Sequence, residues 1–320
     1  MVSKTTVAEP TIRTFLPSDL EAVLELMNAC YQADDVPLRA TTDAFLVQAH
    51  EEPGLAENQY LVAEADRRPV AFSDLMREVG TRLVSRLWIH PEWRSGDVGR
   101  LLIERRVELG SSFDEQVLDV PVRSTQHYKS ALLEAMGFRY VRTWWIMRTD
   151  LRRDLPVAVV PAGFSLRTAV SVQDDQTLTA LVNDVFAGHW GEGEHNLEEI
   201  RHDLSLPWFD PLLLVFAEHK GRPAGYVWSW VNPGHRPTTE TTCALVSDLG
   251  VKAAYRRRGL GRALLLRALA DLKVRGMRAA ELEVDGPNAS AKCLYESVGF
   301  QEHVELRWYR KQLRAPTGEV

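Results

Sequence analysis

The sequence predicts an α/β protein built from two similar halves. Three observations carry this. Apolar runs of strand length alternate with helical runs along all 320 residues. A strand, a basic glycine-containing loop and a helix follow one another twice, over residues 82–110 and again over 243–275. The order of elements in residues 1–150 recurs in residues 162–320, at a period of about 150 residues. The length is long for one domain and comfortable for two. A hydrophobic content of 45% and a charged content of 26% are those of a soluble globular protein. A net charge of −6 argues against general nucleic-acid binding. Cys30, Cys243 and Cys293 are scattered, so neither a disulfide framework nor a zinc site is expected, and a reducing cytoplasm suits them. No apolar run is long enough for a membrane span.

In the first half, residues 11–15 read as a strand. Ser18 is placed to cap a helix that carries Leu20, Val23, Leu24, Leu26 and Met27 on one face. A second helix is expected over 42–50. Residues 59–65 and 70–76 form a hairpin around Asp66-Arg67-Arg68, and 82–89 is the next strand. Arg94-Ser-Gly-Asp97-Val-Gly99 opens a helix that runs to Gly110. Residues 117–122 are a buried strand, 128–136 a helix ending at Gly137-Phe138, and 140–147 a closing strand. Residues 151–161 contain Pro156 and Pro161, lose the apolar period and read as a linker between domains 1–150 and 162–320.

The second half restarts at Gly163. A helix over 171–186 precedes a polar turn holding His189, Glu192, Glu194 and His195; a helix over 197–206 follows. Residues 212–217 and 224–231 pair around Lys220-Gly221-Arg222-Pro223. Tyr226, Trp228 and Trp230 alternate with Val227, Ser229 and Val231, so one sheet face is aromatic and suits core packing first, cleft lining second. Cys243-Ala-Leu-Val leads through Asp248-Leu249-Gly250-Val251 into a basic loop and a helix over 262–275. A buried strand over 277–284 and the turn Asp285-Gly-Pro-Asn288 precede a short helix, with Asn288 as N-cap and Gly299 just past its end. Residues 303–310 close the fold.

The loop Arg256-Arg257-Arg258-Gly259-Leu260-Gly261-Arg262 suits a phosphate. The first amides of a helix lack intrahelical partners, and its dipole adds positive character there. Gly259 and Gly261 let an anion approach the backbone, and the arginines add formal charge. No Gly-Lys-Ser/Thr follows, and the glycine spacing is not that of a dinucleotide fingerprint.

Arg256-x-x-Gly259-x-Gly261 resembles the coenzyme A signature of the GNAT acetyltransferase superfamily, Gln/Arg-x-x-Gly-x-Gly/Ala. Asn288-Ala-Ser-Ala followed by Leu-Tyr295-Glu-Ser-Val-Gly299-Phe300 resembles its second signature. The chain is thereby identified as two tandem GNAT folds, each a mixed, mostly antiparallel sheet flanked by helices. Phe186-Ala-Gly-His189, Trp208-Phe-Asp-Pro211 and Leu249-Gly-Val251 are similar to the mycothiol synthase branch. In the first half Asp97 stands where the loop glycine is expected, and Leu133 where the tyrosine is. A carboxylate facing a pyrophosphate is a like-charge placement, so that half reads as degenerate.

The resemblance implies direct transfer of acetyl from acetyl-CoA to the amine of a small molecule in a ternary complex, with no metal. The Leu249 N–H would hold the thioester oxygen, Leu249, Gly250 and Val251 the pantetheine, and Arg256 to Arg262 the pyrophosphate. Tyr295 would protonate the leaving thiolate and Asn288 orient the coenzyme. The family's glutamate base, four residues before the oxyanion amide, falls on Leu245, which cannot take a proton. Asp248, Glu240, Glu281, Glu283, His189, Glu192, Glu194 and His195 are weaker candidates for that role. Alternation sends the Asp248 side chain to the face opposite Leu249. Asp34, Asp35, Glu192 and Glu194 would suit a cationic acceptor. Alternative readings are mycothiol synthesis itself, a protein N-acetyltransferase, and a non-catalytic acetyl-CoA-binding module. A monomer or a homodimer is expected.

Overall fold

A computed structural model describes residues 9–36, 39–42, 45, 59–78, 82–191, 193–206, 209–231 and 242–314. Most of the helix expected over 42–50, together with Glu192, Trp208 and Glu240, lies outside the described residues. The chain forms two compact units, Met1–Arg142 with Leu306–Val320, and Thr143–Glu305.

In the first unit β1 (Thr11–Thr14), β2 (Tyr60–Ala65), β3 (Arg68–Asp74) and β6 (Leu87–Ile89) are antiparallel in that order. β4 (Met76–Glu78) pairs with β5 (Arg82–Val84), and β5 pairs in parallel with β7 (Val117–Arg123). The single strand expected over 82–89 is therefore two. Its break is held by Ser85, whose N–H donates to Asp119 O at 2.9 Å and whose hydroxyl donates to Asp74 O at 2.6 Å. The helices are α1 (Leu20–Ala33), α2 (Val98–Gly110) and α3 (His127–Ala135). Ser18 does not cap α1; Asp19 does the local work, accepting from the Leu16 N–H at 2.7 Å and from Arg13.

In the second unit β9 (Phe164–Thr168), β10 (Leu214–His219), β11 (Arg222–Trp230) and β12 (Cys243–Val251) are successively antiparallel. β13 (Ala279–Asp285) joins β12 in parallel. The helices are α4 (Asp175–Val185), α5 (Leu197–Ser205), α6 (Leu260–Val274) and α7 (Ala289–Ser297). One sheet face packs Val215, Val227, Ala244 and Val246 against the apolar side of α6. The other packs Phe216, Tyr226 and Trp228 against α4 and α5, the core role expected of the aromatic stripe.

Two strands are divided between the units. β8 (Arg139–Asp150) pairs with β13 from Trp144 to Asp150, inside the second unit. β14 (Gln301–Gln312), longer than expected, pairs with β7 from Leu306 to Gln312, inside the first. Residues 154–161 are irregular and belong to the second unit.

The repeat is visible in side-chain bonds as well as in element order. Arg13 bonds Asp19 and Glu64 in the first unit; Arg167 bonds Asp174 and Glu218 in the second. Asn28 bonds the backbone of Ala40, and Asn183 that of His195, both across 12 residues. These polar groups clamp equivalent loops in both halves. The mixed, mostly antiparallel sheets flanked by helices are the expected fold class.

Candidate active site

The site begins with a strand that loses one neighbour. β12 pairs with β11 along its length, from Trp230↔Leu245 to Gly225↔Val251. With β13 it pairs only at Cys243↔Ala279, Ala244↔Ala280 and Leu245↔Glu281. Beyond Leu245 the two parallel strands part, while β13 continues to Asp285 against β8. The Lys252 N–H donates to Ala224 O at 2.9 Å, which fixes the phase of the β11–β12 ladder. In that phase Gly250 exchanges its backbone bonds with Tyr226, whereas Leu249 and Val251 direct theirs away from β11. Their N–H groups therefore face the gap that β13 has left. The Val251 carbonyl is taken by Arg256 Nε at 2.8 Å.

Gly250 has a packing reason. A Cβ there would run into Val185 Cγ2 and lie 2.9 Å from Val185 Cβ, so the glycine lets the end of α4 lie on β12. Its own amide points back to β11, and of the three residues expected along pantetheine only Leu249 and Val251 offer amides to the gap.

The loop after β12 is a single 3-10 turn, Ala253–Tyr255, followed by two left-handed residues, Arg257 (φ 62°) and Gly259 (φ 85°). Gly259 precedes Leu260, the first residue of α6, and the first intrahelical bond is Ala263 N–H to Gly259 O at 3.0 Å. The amides of Leu260, Gly261 and Arg262 stand ahead of that bond and carry the positive end of the helix. At Gly261 a Cβ would sit 3.3 Å from Leu294 Cδ2 and 3.8 Å from Val251 Cγ2, so the helix start lies against the end of β12.

The arginines divide by role. Arg256 bonds Val251 O and, at 3.4 Å, Val185 O, which ties the loop to β12 and to the last turn of α4. Its guanidinium builds the loop. Arg257 is exposed, and Arg258 lies exposed over the Tyr255 ring at 5.9 Å. Arg262 donates to Ser297 O at 3.1 Å and to Ser297 Oγ at 2.6 Å, joining the start of α6 to the end of α7.

Tyr295 is 9% exposed, with its ring 6.0 Å from that of Phe300 in the α6 core. Burial pushes its hydroxyl up to about 12, and the nearby negative charge of Asp248 adds to the effect. The phenol thus keeps its proton at neutral pH. Asn288 is the N-cap expected: its Oδ1 accepts the Ala291 N–H at 3.1 Å. Gly299 is left-handed at φ 93° and ends α7 under Arg153, which bonds Val298 O and, at 2.9 Å, Thr149 Oγ1. Nothing in the sequence marked Arg153 for this, because its partner is a backbone carbonyl.

The first unit repeats the scaffold, including the parting of its parallel strands: β5 pairs with β7 only from Arg82 to Val84, and β6 beyond it pairs with β3. Arg94 Nε donates to Ile89 O at 3.3 Å, as Arg256 does to Val251. Phe138 N–H bonds Leu133 O as Phe300 N–H bonds Tyr295 O, so Leu133 does occupy the tyrosine's place, fully buried. A Cβ at Gly99 would lie 2.6 Å from Ile89 Cδ1 and 2.7 Å from Leu132 Cδ2, much tighter than at Gly261. Asp34 is engaged inside this unit, by Arg94 at 2.8 Å and Gln126 at 2.6 Å, which removes it from the acidic set expected to meet an acceptor.

The acetyltransferase (GNAT) family model matches residues 178–300, the part that holds this gap, loop and tyrosine. The mycothiol acetyltransferase of Thermobispora bispora is 31% identical over 300 residues, covering 92% of this chain and 97% of that protein. The chain belongs to the GNAT acetyltransferase family. It is an acetyl-CoA-dependent N-acetyltransferase of the tandem kind, similar to the mycothiol acetyltransferases. Among solved structures, a GCN5-related N-acetyltransferase from Sphaerobacter thermophilus matches with a TM-score of 0.80 at 23% identity, over 96% of each chain. A tandem GNAT protein from the clavulanic acid biosynthesis pathway matches with a TM-score of 0.73 at 18% identity, over 96% of this chain and 99% of that one. Both show the fold of this GNAT protein. Among the described residues no helix is long and apolar enough to cross a membrane, and no group of three or more His, Cys, Asp or Glu is placed to hold a metal.

Proposed function

We propose that the second unit transfers acetyl from acetyl-CoA to the primary amine of a small molecule, without a metal, and that the first unit is a structural partner with no turnover. The observation that carries this is the gap beside β12, into which the Leu249 and Val251 amides point. Pantetheine lies there as an added strand, bonding those amides. The pyrophosphate rests on the amides of Leu260, Gly261 and Arg262, with Arg257 and Arg258 supplying charge beside them. As the amine attacks, the thioester oxygen gains charge and the Leu249 N–H stabilises it. Tyr295, protonated at neutral pH, gives its proton to the leaving thiolate.

The likeness to mycothiol acetyltransferases over nearly their whole length makes the mycothiol precursor the first acceptor to try. Leu245 at the position of the family's glutamate favours a related but different amine. The test is coenzyme A release, followed chromatographically, with the mycothiol precursor, aminoglycosides, polyamines and peptide N-termini as acceptors. Release with one small amine, reduced ~10-fold or more in Tyr295→Phe, is expected. Release with peptides alone would replace this reading by a protein N-acetyltransferase. Tight acetyl-CoA binding without release to any acceptor would reduce the unit to a binding module.

A further inference from the structure

A β-bulge decides which side chains share a face of β12. Trp228 pairs with Asp248 and Ser229 with Val246, so Ser247 is the extra residue. Leu245, opposite Trp230, and Asp248, opposite Trp228, therefore lie on one face although three positions separate them. Plain alternation would put them on opposite faces. It is the face of Tyr226 and Trp228, whereas Val246 and Leu249 turn to the α6 side.

We propose that Asp248 is the general base that takes the proton from the acceptor amine, in place of a glutamate at Leu245; the proposal rests on the acetyl-transfer reading above. An amine with a pKa near that of lysine, ~10.4, arrives protonated and cannot attack until a base removes a proton. Four carboxylates belong to the strands that line the gap, and one of them, Asp285, ends β13 opposite Trp144. Glu281 is buried at the last parallel pair, bound to Arg148 at 3.0 Å; burial pushes the neighbouring Cys243 thiol up to about 12, and the Glu281 charge adds to it. This carboxylate is held as a structural ion. Glu283 is exposed, further along β13. Asp248 is half-buried and forms the peptide whose N–H belongs to Leu249. Its carboxylate thus sits on the residue next to the oxyanion donor, and its charge reaches the Tyr295 hydroxyl. Base, oxyanion donor and proton donor are then grouped around one opening.

The proton count closes. The ammonium gives one proton to Asp248, and the freed amine forms the N–C bond. The tetrahedral intermediate collapses, the C–S bond breaks, and the thiolate takes the Tyr295 proton. The second proton of the former amine returns through solvent to Tyr295, and Asp248 releases the first to water. The products are amide, coenzyme A and one proton.

The test compares wild type with Asp248→Asn at one pH, using the mycothiol precursor as a protonated amine and hydroxylamine as a small amine already neutral, with the uncatalysed rate subtracted. Wild-type release with either acceptor secures acetyl transfer independently of the variant. The Asn variant is expected to lose ~10²–10⁴-fold in kcat with the protonated amine and less than ~10-fold with hydroxylamine. Its acetyl-CoA KM stays at the wild-type value, which also reports that the site is folded. Equal losses with both acceptors, or none with either, overturn the proposal while leaving the transferase reading in place. Should the Asn variant not fold, Asp248→Ser gives the same comparison. A selective loss in Glu283→Gln with Asp248→Asn unaffected would move the role to β13.

Discussion

Replacing Gly250 by alanine should destabilise the second unit through one identifiable collision. The added Cβ meets Val185 Cγ2 and stands 2.9 Å from Val185 Cβ, inside ordinary contact distance. Overpacking of this kind costs about 1–3 kcal/mol, because β-branched Val185 has one favoured rotamer in a helix and cannot swing aside. Alanine also stiffens the unfolded chain, which returns about 0.4–1 kcal/mol, so the net loss expected is about 0.5–2 kcal/mol. Urea unfolding followed by tryptophan fluorescence reads it. The decisive experiment is the double-mutant cycle with Val185→Ala, which removes the colliding methyls. In that background only the 2.9 Å approach to the Cβ of residue 185 remains, so Gly250→Ala should cost clearly less, a coupling on the order of 0.5–3 kcal/mol. A displaced α4 also moves the Val185 carbonyl that Arg256 bonds at 3.4 Å, so the acetyl-CoA KM should rise with the single variant and recover with the double. Equal costs of Gly250→Ala in both backgrounds would refute the packing argument.

Two predictions concern pH. Burial pushes the Lys129 ammonium down from 10.5 to about 8, against the opposing pull of Asp34, so below about pH 8 folding carries an unfavourable charge. Between pH 8 and 10.5 the unfolded chain binds more protons than the folded one, and wild-type stability should rise with pH there. Lys129→Met should therefore be the more stable protein at pH 7, with the difference in Tm shrinking towards pH 10.5; a less stable variant at pH 7 would show that the pull of Asp34 outweighs burial. The Tyr295 hydroxyl is raised from 10.0 to about 12, so it contributes stability below pH 10 that is lost as pH climbs through 12. Tyr295→Phe should flatten that alkaline decline in thermal melts, and an unchanged slope would place the phenol in water.

What could be read from the sequence followed from local chemistry. Gly299 was legible as a left-handed position because a helix end favours one there. Asn288 was legible as a cap from its turn, and the aromatic stripe of β11 from its period. What could not be read depends on pairing between distant segments. The bulge at Ser247 exists only against Trp228 and Ser229, so alternation alone misjudges the company Asp248 keeps. Arg256 looks like a phosphate ligand until Val251 and Val185 are found on its guanidinium. Ser85 breaks a strand because Asp74 and Asp119 are there to bond it. Asp19 displaces Ser18 at the start of α1 because Arg13 and the Leu16 amide both find its carboxylate.

The divided strands make a prediction about where the chain can be cut. Asp119 is fully buried on β7, and its carboxylate is held by Arg310 through two bonds of 2.7 Å and by Arg82 at 3.2 Å. Arg310 comes from β14, whose stretch from Leu306 to Gln312 covers β7 in register from Arg123 to Val117. A fragment of residues 1–150 lacks all of this. It would leave β7 an open edge and Asp119 a buried anion with one arginine fewer, and breaking such a pair costs about 3–5 kcal/mol before the lost ladder is counted. The fragment should therefore show no cooperative unfolding transition, although it ends where the expected linker begins. The same fragment with residues 306–314 joined through a flexible glycine–serine linker should recover one. In the full chain Arg310→Met should lower the stability of the first unit by about 3–5 kcal/mol, leaving acetyl-CoA release by the second unit close to wild type. A sharp thermal transition and dispersed amide spectra from residues 1–150 alone would refute the claim that the last strand completes the first unit.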